Sequence, residues 1–410
     1  MAVFNSLGSN YNLRFALKAL APRIGHHHLK LNEFLENKYG GETILFHKGR
    51  EALELALKII QKIDGLPPRS GVAINGFTCF ALYRAVINAG CTPYFLDAEE
   101  GRLDFSPETL KTTLAENENI KAVIVQNTLG YPSKIEEIAK ICEERRVLLI
   151  EDLAHSVGSV YLSGREAGAF GDFVVLSFSQ DKIIDSVSGG ALIIRNTKYW
   201  IRAPYPLADL EFKQRLIERF YPLFTWKIRI TYPIGLGKFI HTTLMRLRLL
   251  SRPMGKLDSQ GFYHLPGWNC YLAKSQFENL PATLAHRRHI AHIYATKINK
   301  LLLSPALVAQ IDYGNNLRFP IFVNDRVGLI NYLKQYKIFV SDIWYDAPVS
   351  PKKYLHLTNY RQGQCPVAEA ASSRILNLPT HINVSEREAH RIAGLINEWL
   401  KNQHMVVRQP

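Results

Sequence analysis

Short apolar runs alternate with amphipathic stretches from about residue 36 to residue 195. The apolar runs are rich in β-branched residues, which is typical of buried strands. The amphipathic stretches repeat apolar residues every three and four positions, which is typical of helices that pack on a sheet. This alternation predicts a series of βαβ units around a mostly parallel sheet. The predicted strands are Val72–Asn75, Pro93–Leu96, Ala122–Gln126, Val147–Glu151, Phe173–Ser177 and Ala191–Ile194, and the predicted helices are Glu51–Ile63, Cys79–Ala89, Pro107–Leu114 and Ile135–Arg145.

A different pattern follows from His286 onward and predicts a small α+β domain. It opens with a long helix, continues with two short strands, and closes with two helices. A serine and a glutamate three residues apart form a capping box at the start of the last helix. The predicted units are an N-terminal arm (1–35), a large domain (36–285) and a small C-terminal domain (286–410). The predicted elements of the last unit are strands Leu317–Val323 and Ile338–Trp344 and helices Cys365–Asn377 and Glu386–Leu400, the last capped by Ser385 and Glu388.

Composition places the chain among ordinary globular proteins, because 47% of its 410 residues are hydrophobic and 21% are charged. Five scattered cysteines without a Cys-x-x-Cys pair predict neither a disulfide framework nor a zinc ribbon, and they favour a cytoplasmic location. The net charge of +14 indicates a phosphorylated ligand, a polyanion or an anionic surface. Much of that charge lies in residues 212–256, where ten lysines and arginines, Arg252 and Lys256 among them, face one acid, Glu218, between aromatic and aliphatic residues. That mixture is typical of an interfacial element.

Three positions near the predicted strand ends carry candidate chemistry. Gly49-Arg50 opens a helix, so its free N–H groups and the arginine suit an anion, although a glycine can also serve only a tight turn. Asp152 follows a strand that is predicted to be central in the sheet, at the edge where open α/β sheets bind ligands. An aspartate there can also cap a helix. Ser177 ends the next strand, and Lys182 follows in the same loop. A desolvated lysine in that place can form a Schiff base, whereas an ordinary loop lysine is solvated.

These residues belong to an ordered set of motifs, namely Glu151-Asp152-Leu153-Ala154-His155, Gly168-Ala169-Phe170-Gly171-Asp172, and Ser177-Phe178 followed by Lys182 and Gly189-Gly190. The set resembles the DegT/DnrJ/StrS aminotransferases, nucleotide-sugar enzymes that depend on pyridoxal 5′-phosphate (PLP). The resemblance extends from Phe34 to Leu400. It implies an α/β protein of PLP-dependent transferase fold type I, with a three-layer αβα large domain and a small α+β C-terminal domain.

The resemblance also implies a role for each matching residue. Lys182 would form the Schiff base with PLP and move a proton at the substrate carbon, and Asp152 would pair with the ring nitrogen. His155 would contact the ring or its phenolic oxygen. The phosphate would be held by Ser177 and the Gly49-Arg50 turn. Asn269 resembles an asparagine that reaches the phosphate of a neighbouring subunit, which implies a homodimer with shared active sites.

Three departures from the family pattern limit what the resemblance implies about the substrate. Arg50 stands where threonine is usual, Cys79 where an aromatic ring usually stacks on the cofactor, and Tyr271 where arginine is common. Phe77 or Phe80 would replace the missing ring only if the backbone shifts. The acceptor substrate is therefore open.

Several alternatives accompany this interpretation. The chain could retain the PLP fold as a non-catalytic binding or regulatory protein, or perform another PLP reaction on a non-sugar substrate. Retention of Lys182 and Asp152 favours catalysis. The basic segment could bind nucleic acid, but no nucleic-acid motif accompanies it, so a peripheral contact with an anionic membrane or a cover over the active site is preferred. The histidines at 26–28 and at 286, 289 and 292 have no neighbouring carboxylate or cysteine and are interpreted as a basic surface rather than a metal site.

The sequence thus predicts a cytoplasmic, homodimeric PLP-dependent aminotransferase, peripheral to the inner face of the membrane if the lipid contact is real. It would pass an amino group, with glutamate as the expected donor, to a keto-sugar on a nucleotide or lipid carrier. No metal is expected.

Overall fold

The computed structural model describes residues 2–22, 25–200, 206–251 and 261–406. Its N-terminal arm contains strand β1 (Val3–Phe4) and helices α1 (Leu13–Leu20) and α2 (His27–Tyr39). Helix α2 continues past the predicted arm boundary at residue 35. Arg252 and Lys256 of the predicted basic segment lie outside the described residues.

The large domain is built on a seven-stranded sheet in the order β2-β9-β8-β7-β6-β3-β5. Strand β9 runs antiparallel to both of its neighbours, and the remaining pairs are parallel, as the sequence pattern predicts. The elements of this domain up to the end of the sheet are β2 (Glu42–Phe46), α3 (Gly49–Asp64), β3 (Gly71–Asn75), β4 (Thr78–Cys79), α4 (Phe80–Asn88), β5 (Thr92–Leu96), α5 (Pro107–Glu116), β6 (Ile120–Val125), α6 (Ile135–Arg145), β7 (Leu148–Asp152), β8 (Phe173–Ser177) and β9 (Gly190–Ile194).

Alternate residues of the central strands enter two different cores, which makes three layers. In β8, Phe173 and Val175 pack in the core beneath α3 and α4. Val174 and Leu176 pack in the core that includes residues of α2, α5, α6 and the later helix α9 (Gly267–Glu278). Both faces of the sheet are therefore covered, as buried parallel strands require. The three-layer αβα prediction for the large domain is confirmed.

The second half of the chain is mainly helical before it reaches the small domain. Its elements are α7 (Phe212–Thr231), α8 (Leu236–Arg246), α9 (Gly267–Glu278), α10 (Leu280–Lys297), α11 (Pro305–Val308), β10 (Arg318–Phe322), α12 (Arg326–Gln335), β11 (Ile338–Phe339), β12 (Val349–Ser350), α13 (Pro366–Arg374), β13 (Ile375–Pro379) and α14 (Glu386–Val406). Helix α10 spans the predicted domain boundary at residue 286. Within the described part of the chain, no helix has the length and apolar character needed to cross a bilayer.

The small domain differs from the sequence prediction in two places. The strand predicted for Ile338–Trp344 ends at Phe339. The residues that follow it lie against the large domain. The helix predicted for Cys365–Asn377 ends at Arg374, because the next five residues form β13 and pair antiparallel with β10. The capping box is confirmed: the Ser385 and Glu388 side chains bond reciprocally to each other's backbone N–H groups, at 3.2 and 3.1 Å.

Candidate active site

A cavity of about 760 Å³ opens at the carboxyl edge of the central sheet. Strand β7 ends at Asp152 and β8 at Ser177, so each strand delivers a polar side chain to the cavity. Ligands of open α/β sheets bind at this edge. Seven of the eight residues predicted from the sequence line the cavity, namely Gly49, Arg50, Cys79, Asp152, His155, Ser177 and Lys182.

Helix α3 begins at Gly49 and presents its N-terminus to the cavity. The preceding residue, Lys48, makes no side-chain capping bond, so no capping side chain stands between this N-terminus and a ligand. A Cβ on Gly49 would lie 2.8 Å from the Cβ of Ser177 and 2.9 Å from the carbonyl oxygen of Leu176. Glycine is therefore required for α3 to start this close to β8, and Arg50 adds a cation to the same cavity.

Asp152 is a buried carboxylate whose charge needs a partner. Its Oδ1 accepts a hydrogen bond of 3.0 Å from the N–H of Ala154. Burial raises the pKa of Asp152 to about 6, although the Ala154 N–H and the charge of Lys182 act in the opposite direction. A cation placed against this carboxylate would restore its ionised form.

Lys182 is a buried amine in the loop after β8. Burial lowers the pKa of Lys182, while the neighbouring Asp152 and Asp181 act to raise it. The Nζ atom lies 4.7 Å from the centroid of the Trp344 ring. A lowered pKa increases the fraction of neutral amine, which is the form that attacks a carbonyl carbon.

The N-terminal arm holds the Lys182 loop in place, which the sequence did not indicate. The Ser9 hydroxyl donates to Oδ1 of Asp181 at 3.2 Å, and the Asn10 amide donates to the carbonyl oxygen of Lys182 at 3.0 Å. The Tyr11 hydroxyl donates to Oδ1 of Asp185 at 2.6 Å. The arm thus positions the lysine backbone from a distance of about 170 residues along the chain.

His155 is buried in a neutral state beside the lysine. Its Nδ1 accepts a hydrogen bond from the N–H of Leu129 at 3.2 Å and lies 3.3 Å from the Tyr345 hydroxyl. Burial lowers the pKa of His155 far below its usual range, and the charges of Lys182 and Arg318 lower it further. An acceptor role for Nδ1 leaves the proton on Nε2.

Trp344 is a cavity residue that sequence reasoning placed in a strand. Its ring stacks on His155, with centroids 5.3 Å apart and an interplanar angle of 17°. The Arg318 guanidinium lies 4.0 Å from the centroid of the same ring. Tryptophan is a preferred partner for cations, so this residue brings together a ring and two cations, Lys182 and Arg318. The only sequence signal was its position between two aspartates, Asp342 and Asp346.

Cys79 lines the cavity where a stacking ring was expected, and neither nearby phenylalanine takes its place. The Phe77 ring stacks on Tyr345 at 4.7 Å, and the Phe80 ring stacks on Tyr354 at 4.9 Å. Both phenylalanines are buried outside the cavity lining. The backbone shift that would bring one of them onto a ligand ring is therefore absent at these residues.

A family model supplies the deciding observation. The model of the DegT/DnrJ/EryC1/StrS aminotransferase family matches residues 20–204 and 260–397, well over half of the chain. The chain belongs to this family. Members of the DegT/DnrJ/EryC1/StrS family are PLP-dependent aminotransferases, and the fold, the lysine and the aspartate described above agree with that chemistry.

Two relatives and one solved structure agree with the family match. EpsN of Bacillus subtilis, provisionally named a pyridoxal phosphate-dependent aminotransferase, is 34% identical over 152 residues, which are 36% of this chain and 38% of EpsN. GDP-perosamine synthase of Escherichia coli O157:H7 is 23% identical over 382 residues, 91% of this chain and 89% of that enzyme. The crystal structure of Helicobacter pylori PseC, an aminotransferase involved in the biosynthesis of pseudoaminic acid, has the same fold, with a TM-score of 0.68, 18% identity and coverage of 98% and 100%.

The cavity of this DegT-family chain fits PLP in its donor set. A phosphate suits the uncapped N-terminus of α3 with Arg50 and Ser177 beside it. A protonated ring nitrogen suits the buried carboxylate of Asp152, because a cation there would offset the burial that raises its pKa to about 6. A carbonyl group suits the desolvated amine of Lys182.

Asn269 is the one predicted site residue that the structure does not bring to the cavity. It lies buried at the start of α9, and its Nδ2 donates to the carbonyl oxygens of Ser186 at 2.7 Å and Ser188 at 3.3 Å. Its side chain therefore supports the loop after Lys182 within its own chain. The predicted reach of Asn269 to a second subunit stays a prediction.

The family match omits residues 205–259, and the described part of that stretch, residues 206–251, is called the basic-aromatic segment here. Glu218, the only acid of this segment after residue 211, is buried on α7 and faces the large domain. The Glu218 carboxylate contacts Nε2 of His47 at 2.9 Å and lies 3.5 Å from Nζ of Lys48. Burial raises the pKa of Glu218, but the charge of Lys48 and the hydrogen bond from His47 outweigh burial and lower the pKa to about 2. The segment is thereby tied to the residues that precede Gly49.

The histidines at 286, 289 and 292 each have a different partner. His289 lies 3.4 Å from Glu386, and His292 lies 2.8 Å from Asp312. His286 lies 3.2 Å from the carbonyl oxygen of His381. Among the residues that the structure describes, no cluster of three histidine, cysteine or acidic side chains is able to hold a metal ion.

Proposed function

We propose that this DegT-family enzyme transfers an amino group to a keto-sugar attached to a nucleotide or a lipid carrier. The observation that carries the proposal is one cavity that combines a desolvated lysine, a buried carboxylate and an uncapped helix N-terminus. The printed name of the GDP-perosamine synthase relative supports a nucleotide-linked sugar as the acceptor.

Bound PLP would carry the amino group between donor and acceptor and would act as the electron sink for the substrate carbon. The chain's own residues have defined tasks in that chemistry. Lys182, whose pKa is lowered by burial, would take and return the proton at the substrate carbon. Asp152 would pair with the protonated ring nitrogen, and the N-terminus of α3 at Gly49, together with Arg50 and Ser177, would hold the phosphate. His155 keeps its Nε2–H available as a donor because Leu129 occupies Nδ1.

The amino donor is proposed to be glutamate, as the family resemblance implies, and the enzyme is proposed to act in the cytoplasm. A homodimer with shared active sites completes the proposal. Light scattering of the purified chain at several concentrations tests it, and a mass equal to one chain throughout would contradict it.

The first experiment is the visible absorption spectrum of the protein with PLP, before and after addition of glutamate. Wild type should develop a chromophore that glutamate bleaches. Lys182→Ala should develop none, because the amine that captures the PLP carbonyl is gone. Lys353→Ala, which removes another lysine of the same cavity, is the matched control and should retain the chromophore.

Two results would overturn parts of this proposal. A chromophore that survives in Lys182→Ala would place PLP elsewhere. A chromophore in wild type that no amino acid bleaches would mean that the cavity binds PLP without amino transfer, and the protein would then be a binding or regulatory member of the family.

A further inference from the structure

The basic-aromatic segment exposes an unusual share of large apolar side chains. It contains eight of the 20 large hydrophobic residues exposed on the described surface, although it is only 46 residues long. Contiguous exposed apolar surface on a soluble protein marks an interaction site. The eight residues are Phe212, Leu216, Phe220, Ile230, Ile234, Leu236, Phe239 and Leu247.

Helix α7 has one face that is buried against the protein and one that is exposed to solvent. Its buried side chains include Glu218, Tyr221 and Thr225, which share the inner face. Phe212, Leu216 and Phe220 recur every four residues and lie on the opposite face, where they are exposed. The outer face of α7 therefore carries a row of neighbouring apolar side chains. It is not a polar surface with isolated apolar residues.

Cations surround this apolar face. Lys213 and Lys227 are exposed on α7, and Lys238 and Arg246 are exposed on α8. On α8, Phe239 is 69% exposed, and Ile234 in the turn before that helix is 78% exposed. An apolar face flanked by lysine and arginine is the composition of helices that lie in the plane of a bilayer interface.

We infer that the outer faces of α7 and α8 dock on an anionic lipid surface. The aromatic and aliphatic side chains would enter the boundary between headgroups and acyl chains, while the lysines and arginines would meet the headgroup charges. The inference goes beyond the proposed amino transfer and does not depend on it, because none of the outer-face residues lines the cavity.

The charge of the face argues against a second copy of this chain as its occupant. A two-fold interface brings the same patch of both subunits together, so two strongly basic surfaces would repel each other. Aliphatic residues such as Ile230, Ile234 and Leu236 argue against nucleic acid, because single-strand binding relies on aromatic rings that stack on bases. Acyl chains accept aliphatic and aromatic residues equally.

The segment is held rigidly, so lipid binding requires little ordering of the protein. The Arg219 guanidinium donates to the carbonyl oxygens of Ala19, Leu20 and Ala21 at the end of α1, at 2.8 to 3.1 Å. Arg229 donates to the carbonyl oxygen of Tyr11 near the start of α1. Helix α1 thus runs antiparallel to α7.

The test is co-sedimentation of the full chain with vesicles. Wild type should bind vesicles of mixed phosphatidylcholine and phosphatidylglycerol, should bind phosphatidylcholine alone far more weakly, and should dissociate as salt is raised. Phe212→Ser with Phe239→Ser should weaken binding roughly tenfold or more because two large apolar side chains no longer leave water. Lys213→Gln should weaken it roughly fivefold.

Leu301→Ser with Val327→Ser is the matched control. These side chains are 74% and 66% exposed on the small domain, and their loss should leave vesicle binding unchanged. The visible chromophore with PLP should persist in every one of these variants, which separates a failure of lipid docking from a failure of the proposed catalysis.

Three outcomes would overturn the inference. The first is wild type that stays in the supernatant with anionic vesicles at low salt. The second is a double phenylalanine variant that binds as tightly as wild type. The third is a change of oligomeric state in that variant, seen by light scattering without vesicle binding by wild type, which would assign the face to a second copy of the chain.

Discussion

The cavity and the basic-aromatic segment use cations in opposite ways. In the cavity, Lys48 and Lys182 are buried, and burial lowers the pKa of both amines. On the outer face of the segment, Lys213 and Lys227 are exposed to solvent. Burial increases the fraction of neutral, nucleophilic amine. Exposure to solvent keeps the amine positively charged, so that it attracts an anionic surface. Under the two proposals, one residue type serves catalysis in one region and docking in the other.

Glu218 connects the two regions. It belongs to the basic-aromatic segment, yet its carboxylate lies in the large domain against His47 and Lys48. Lys48 also donates to the Ser188 hydroxyl at 2.8 Å and immediately precedes Gly49. The inner side of α7 is thus linked to residues beside the cavity, whereas its outer side carries the exposed cations, and each side can be tested separately.

The largest effect is expected from Asp152→Asn in the cavity. The neutral amide cannot hold a proton on the cofactor nitrogen, so turnover should fall roughly a hundredfold to thousandfold. In wild type, PLP affinity should fall as the pH drops below about 6, because the carboxyl group of Asp152 then takes up a proton. Steady-state kinetics and PLP titrations at several pH values measure both effects.

Asp346→Asn is the control for that experiment. Asp346 lines the same cavity, but its Oδ1 accepts hydrogen bonds from the Ser350 hydroxyl and the Lys352 N–H, both at 2.8 Å. A loss of turnover in this variant as large as in Asp152→Asn would mean that any acid of the cavity matters equally. The assignment of the ring-nitrogen partner would then be wrong.

Local sequence is enough to bring a site residue to the cavity when that residue lies at the end of a strand or the start of a helix. Asp152 and Ser177 end neighbouring strands, and Gly49 begins α3, so knowledge of the strands suffices to bring all three to one edge. The parallel sheet itself followed from alternation of apolar runs with amphipathic stretches. The ends of the six strands predicted for the large sheet were correct to within two residues.

The missed features depend on contacts between distant parts of the chain. Trp344 lies on His155, 189 residues away, and Asn10 bonds to Lys182, 172 residues away. Apolar alternation near Trp344 suggested a strand, but tertiary packing ends the strand at Phe339. No local pattern reports such pairings. Glu218 was visible as the lone acid among cations, yet only the fold shows that it points inward.

Glu218→Gln tests the link between the two regions and should have an intermediate effect. The free energy of unfolding at pH 7 should fall by about 1 to 3 kcal/mol, because Lys48 and His47 lose a buried carboxylate. Burial lowers the pKa of both partners despite Glu218, so the net stabilisation is smaller than the shift at Glu218 alone implies. Urea unfolding measures the difference.

The pH dependence of that difference has a definite sign. The pKa of Glu218 is lowered from 4.5 to about 2 in the folded chain. Its contribution is therefore present above about pH 4.5 and is lost as the pH falls from 4.5 towards 2. Lys213→Gln, one helix turn away and exposed, is the control. A Glu218→Gln variant as stable as this control at pH 7 would show that α7 is attached without the buried carboxylate.

The smallest effect is expected from Phe239→Ser on the outer face of α8. The side chain is 69% exposed, so its removal should change the free energy of unfolding by no more than about 0.5 kcal/mol. Urea unfolding at two protein concentrations measures this change and detects any coupling to association. A loss above about 1 kcal/mol, or one that depends on concentration, would mean that Phe239 is packed in the folded protein or against another copy. The outer face would then stabilise the fold as the cavity wall does, and the contrast between the two regions would fail.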